Sequence, residues 1–157
     1  MKAATVKELK QELNKQSASE LVDLCLQLSR FKKENKELLT YLLYEAEDES
    51  AYIESVKQEI DELIAEINTQ RVYFINKSAR KVLRVTKKYI RYSKKKETEI
   101  ELLMHYCEAI SNISPPIRRN TTLHNIYKRQ IDSIRKIILG VHEDLQYDYS
   151  IKLDSML

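Results

Sequence analysis

One glycine, Gly140, and one proline pair, Pro115-Pro116, are the only strong backbone breakers in a chain of 157 residues. Sheets of many strands need frequent turns, and turns draw on Gly, Pro, Asn and Asp. A chain so poor in the first two, and rich in Leu, Glu, Lys and Ile, is confined to helix over nearly all its length. The expected class is all-α. At this size a folded chain buries roughly 68 to 70% of the surface that its unfolded form exposes, so a real core is possible.

Capping residues and apolar periodicity place the helices. Thr5 with Glu8 and Ser17 with Glu20 form capping-box patterns, followed by stripes of Val6, Leu9, Leu13 and of Leu21, Leu24, Cys25, Leu28. These predict helices over about 6–15 and 18–30. Asn35 is a candidate cap for a third, to about Glu45, burying Leu38, Leu39, Tyr41 and Leu42, and Asp48 for a fourth with the stripe Tyr52, Ile53, Val56, Ile60, Leu63, Ile64, Ile67. A polar break at Asn68-Thr69 precedes a fifth helix over about 70–93, whose core face carries Val72, Ile75, Ala79, Val82, Leu83, Thr86, Tyr89 and Ile90. A sixth carries Ile100, Leu103, Tyr106, Cys107 and Ile110 until the proline pair stops it. The seventh, over about 121–145, uses Leu123, Ile126, Tyr127, Ile131, Ile134, Ile138, Val141 and Leu145. Gly140 offers it an early end, but the stripe running on to Leu145 favours continuation. Short connections make neighbours antiparallel. The expectation is one helical domain, 1–157, of about seven helices: N-terminal helices 1–45, a hairpin 48–93, a second hairpin 96–145 and a tail 146–157 that frays. Helical bundle and short HEAT-like or TPR-like stack both satisfy this pattern.

Charge is segregated along the chain. From Glu45 to Glu66 there are nine acids and one Lys; from Ile67 to Lys96 there are eleven Lys or Arg and no acid, within a net charge of only +3. At 100° per residue, Lys77, Arg80, Lys81, Arg84, Lys87, Lys88, Arg91 and Lys95 share an arc about 120° wide on the fifth helix, opposite its apolar stripe. Such a face suits phosphates, whose neutralisation releases counterions. Tyr73 lies within the arc and Tyr92 at its edge, where a ring can stack on a base. An ordinary solvated surface is the competing reading. A tight antiparallel hairpin turning near Thr69 would set Glu62 against Lys77, Glu59 against Arg80 and Glu54 against Arg84, and the charges at helix ends suit the macrodipole. The apolar face of this helix has no Trp or Phe anchor, so a membrane surface is not the expected partner.

Catalytic and metal chemistry is not visible. His105, His124 and His142 lack the i, i+4 spacing that puts two ligands on one face, and one glycine cannot build a phosphate loop. Glu45, Glu47, Asp48 and Glu49 could gather a divalent cation, but helix capping accounts for them more simply. No catalytic residue, cofactor or metal site is assigned. Cys25 and Cys107 lie on apolar stripes, which predicts buried, reduced thiols. Apolar runs are short, such as Ile137 to Leu139, and the charged start lacks the apolar core of a signal peptide, so the cytoplasm is the expected location.

Two segments, Phe31-Lys32-Lys33-Glu34-Asn35-Lys36-Glu37-Leu38-Leu39-Thr40-Tyr41-Leu42-Leu43 and Lys87-Lys88-Tyr89-Ile90-Arg91-Tyr92-Ser93, resemble a family of small, uncharacterised all-helical proteins from Bacteroidetes-type bacteria. That resemblance implies an all-helical cytoplasmic domain and brings no activity. Thr5-Val6-Lys7-Glu8-Leu9-Lys10-Gln11-Glu12-Leu13, with Ser19-Glu20-Leu21-Val22 after it, is similar to the SAP module, a short DNA-binding helix pair, without the Gly and longer loop found there. The expectation is a non-catalytic binding or scaffold module whose partner is another protein, with nucleic-acid or other polyanion binding through the basic helix as the alternative.

Overall fold

The computed structural model describes residues 1–157, and every regular element in it is helical: α1 (Val6–Leu13), α2 (Ala18–Phe31), α3 (Lys33–Thr40), α4 (Glu49–Ala65), α5 (Val72–Ser93), α6 (Lys96–Ser111), α7 (Thr121–Ile138) and α8 (Glu143–Ser155). A π-turn, Tyr41–Glu45, follows α3, and a 3₁₀ turn, Ile117–Arg119, precedes α7. No helix is long and apolar enough to cross a membrane. Internal contacts divide the chain into two compact units, 1–44 and 45–157, a division not drawn from the sequence pattern.

In the first unit both capping boxes form: the Glu8 carboxylate accepts from the Thr5 N–H and hydroxyl at 2.7 Å, and Glu20 does the same for Ser17 at 2.8 Å. These hydrogen bonds hold both carboxyls below their ordinary value. Asn35 is not a cap. The third helix begins two residues earlier, and the Asn35 amide instead donates 2.9 Å to the Leu28 carbonyl, tying α3 to the end of α2. None of α1, α2 or α3 buries a side chain fully.

The second unit is built around α6. Ile100, Leu102, Leu103, Met104, Tyr106, Cys107 and Ile110 are all buried there, and α4, α5 and α7 pack on it. The Tyr106 hydroxyl donates 2.9 Å to the Ala79 carbonyl of α5, so a core phenol is satisfied by helix backbone. Asp48 caps α4 as expected, accepting 3.0 Å from the Ala51 N–H. Residues 66–71 connect α4 to α5, and the antiparallel pair is registered by the Tyr52 hydroxyl donating 2.9 Å to the Tyr89 carbonyl. At the other end Glu49 accepts from the hydroxyls of Ser93 and of Thr98 (2.5 Å) and from Lys95 Nζ (2.9 Å), locking the α5–α6 corner where Lys94 adopts a left-handed conformation at φ 59°. Asn120 caps α7, accepting 3.1 Å from the Leu123 N–H while donating 2.7 Å to Asn76 of α5.

The helices number eight where the sequence suggests about seven, because the last one breaks at Gly140. Lys96 Nζ donates 2.8 Å to the Gly140 carbonyl, and a Cβ on Gly140 would lie only 2.7 Å from that ammonium, so the cation sits where a side chain would stand. Gln146 Nε2 then takes the Val141 carbonyl at 2.8 Å, satisfying the corner. The apolar stripe continues to Leu145 because α8 turns back and packs on α7. Most of the segment expected as a tail lies in α8 and is packed: Leu153 is buried, Lys152 Nζ reaches Glu101 at 3.0 Å, and Tyr127 donates 3.1 Å to the Met156 carbonyl.

Candidate polyanion-binding face

The 22 residues of α5 have Ile75, Ala79, Val82, Thr86 and Ile90 buried along one side. Thr86 is accommodated there by donating 3.0 Å to the Val82 carbonyl one turn back. Burial of that side fixes the rotation of the helix, and the opposite side must carry the cations into solvent. Lys77, Arg80, Lys81, Arg84, Lys87 and Arg91 are all exposed. None of these six lies within 4.0 Å of an acid.

The remaining candidates divide. Lys88 is half-buried with its ammonium 4.5 Å from the Tyr89 ring centre, a cation–π contact, and Lys95 is bound to Glu49, so these two belong to the scaffold. Tyr73 is 67% exposed, edge-on to Phe74 with ring centres 5.5 Å apart. Tyr92 is buried at 8% and packs edge-on against Tyr89, so it offers no ring to a base, contrary to its expected place at the edge of the arc.

The three cross-helix pairs expected from a tight turn do not form. With Tyr52 opposite Tyr89 and Glu49 opposite Ser93, the register lies about one helical turn from that of a hairpin closing at Thr69. The acids of α4 are consequently engaged elsewhere. Glu54 pairs with Lys57 (2.9 Å), Glu62 accepts from Gln58 (3.0 Å), Glu59 accepts from the Tyr89 hydroxyl (2.7 Å) and Asp61 meets His105 Nε2 (2.7 Å). His105 is thereby a hydrogen-bond partner of Asp61 at the core edge.

Two other concavities carry charge. A cleft of about 590 Å³ sets the carboxylates of Glu49, Glu54, Glu97 and Glu101 around the ammoniums of Lys57 and Lys95, with Tyr149 beside them, so acids outnumber cations there. Burial works to raise the Glu101 carboxyl, but hydrogen bonds and attraction from Lys152 and Lys57 outweigh it and hold the group below its ordinary value. For Lys57 burial works downward, and Glu54 with Glu101 raise it overall. Burial first, then the charges of Glu101 and Glu97, push Tyr149 up to about 12. A second cleft, about 460 Å³, sets Arg118, His124, Lys128 and Arg135 around an apolar floor of Tyr127 and Ile131, with Arg135 already on Asp132 at 3.4 Å.

The thiols separate. Cys107 is buried, and burial pushes it up to about 12, whereas Cys25 is exposed in a groove of about 270 Å³ between α2 and α3 with Leu28, Leu38, Leu39 and Leu42. The expectation of two buried thiols fails at Cys25 because α3 is too short to cover the apolar side of α2. The apolar surface left by the first unit was not anticipated: Val6, Val22, Leu28, Phe31, Leu42 and Leu43 are between 57% and 82% exposed. Its signal was present in α2, where apolar residues occupy more than half the circumference.

No family model matches this sequence, and neither a curated protein nor a solved structure matches it.

Proposed function

We propose that this protein is a non-catalytic binding module and that the exposed face of α5 engages a polyanion, with the phosphate backbone of a nucleic acid as the ligand class. One observation carries the reading: six exposed cations, Lys77, Arg80, Lys81, Arg84, Lys87 and Arg91, share one helix face, and none of the six is paired with an acid. They span 15 positions, about 21 Å along the axis. A duplex offers roughly one charge per 1.7 Å of its own axis, so a strip of that length faces ample phosphate. Six neutralised phosphates give an affinity falling with roughly the fifth power of salt concentration.

The test is fluorescence anisotropy of a labelled duplex and a labelled single strand at about 50 mM and about 200 mM salt, a range over which six contacts lose on the order of a thousandfold. Arg84→Glu with Arg91→Glu should abolish binding, since both residues point straight out of the fold. Binding unchanged by that double reversal, or absent at the lower salt, refutes the reading.

A second reading, a scaffold that docks another polypeptide, is favoured by a different observation. The first unit exposes Val6, Leu9 and Leu13 of α1 and Val22, Leu26 and Phe31 of α2, and clustered exposed apolar side chains of this kind mark interaction sites.

A further inference from the structure

Taking the first unit as a docking surface, we infer that its occupant is a second copy of this chain, paired antiparallel across α2. The unit spans 44 residues, and α1 to α3 bury no side chain fully. Units so small seldom hold together on one internal contact, and association is a common remedy. Within α2, Cys25, Leu28 and Ser29 line the groove shared with α3. Val22 (57% exposed) and Leu26 (40%) form a separate apolar flank.

The charges bordering that flank select the partner. At 100° per residue Asp23 and Arg30 project in nearly the same direction, two turns apart, with Leu26 between them. Neither makes an ion pair in the described chain. A two-fold axis passing between Leu26 and Gln27 places Asp23 of each copy against Arg30 of the other and brings the two Leu26 side chains together beside it. The patch is thus self-complementary, the condition for an isologous dimer. A parallel copy would set Asp23 on Asp23 and Arg30 on Arg30, which like-charge repulsion disfavours.

Size-exclusion chromatography with light scattering and sedimentation equilibrium on the full chain, at up to about 100 µM, test this. The wild type should be dimeric. Asp23→Arg should weaken association about tenfold or more, since the reciprocal contacts become repulsive, and Asp23→Arg combined with Arg30→Asp should restore it. Circular dichroism confirms that each variant keeps its helix. A dimer insensitive to Asp23→Arg, or a double variant that fails to recover, overturns the inference. A monomeric wild type overturns it as well, and 1-anilinonaphthalene-8-sulfonate then separates the two readings. Fluorescence enhancement that Val22→Glu with Leu26→Glu removes leaves a docking face for another polypeptide, whereas no enhancement removes the docking reading too.

Discussion

Replacing Glu49 by alanine probes the α4–α5–α6 corner most directly. Its carboxylate is 18% exposed and accepts from two hydroxyls, Ser93 and Thr98, of which Thr98 has no solvent exposure, and from Lys95. Truncation strips both hydroxyls of an acceptor. A buried polar group losing its partner costs about 1–3 kcal/mol. The Lys95 contact adds little, since that side chain is 48% exposed and exposed pairs contribute at most about 1 kcal/mol. Glu49→Ala should therefore lower stability by about 3–5 kcal/mol, or roughly 6–20 °C in Tm at this chain length. Glu49→Gln keeps one carbonyl acceptor and should cost about 1–2 kcal/mol, the charge-assisted part alone. Urea unfolding followed by circular dichroism gives the values, and Thr98→Val in both backgrounds completes a double-mutant cycle. If Glu49→Ala costs less than about 1 kcal/mol, or if the two sites prove additive within about 0.3–0.5 kcal/mol, the corner is not held by this carboxylate.

Native protein should react with Ellman's reagent at one thiol per chain, Cys25, and at two after denaturation, because Cys107 is buried and pushed up to about 12; rapid modification of both thiols in the native state contradicts the packing of α6. The Glu101 carboxyl, lowered by Lys152 and Lys57 against the effect of its burial, binds fewer protons folded than unfolded in the acid range. Its stabilisation is therefore full above the ordinary carboxylate value of 4.5 and is lost as pH falls through the lowered one, so stability profiles of wild type and Glu101→Gln should converge in acid; parallel profiles would contradict the pairing.

Features governed by neighbouring residues were legible in the sequence. The capping boxes at Thr5 and Ser17 and the cap at Asp48 form because their partners lie three residues away, and scarcity of Gly and Pro dictated the all-α class. The exposed strip Lys77, Arg84 and Arg91 was legible too, since its direction follows from the rotation of one helix. What failed depended on other helices. The salt-bridge pairs required the α4–α5 register, which is set by a tyrosine hydroxyl on a distant carbonyl. The break at Gly140 required knowing that Lys96, 44 residues earlier, occupies the corner. Burial of Cys25 was assumed from periodicity, but an apolar stripe reports what needs covering and does not supply the cover.

The α4–α5 connection keeps time with neither of its helices. Register is held at Tyr52 and Glu49, near the far end of the pair, while Asn68 to Arg71 lie in solvent, tied only locally: the Gln70 N–H donates to the Asn68 side chain, and the Arg71 carbonyl accepts from Phe74 and Ile75 at the start of α5. Doubling the length of such a loop costs only about 0.6 kcal/mol. The segment can therefore change in length through mutation while the spacing of the cations on α5 stays constant, so a length-tolerant stretch lies less than two turns from the face proposed to meet phosphate.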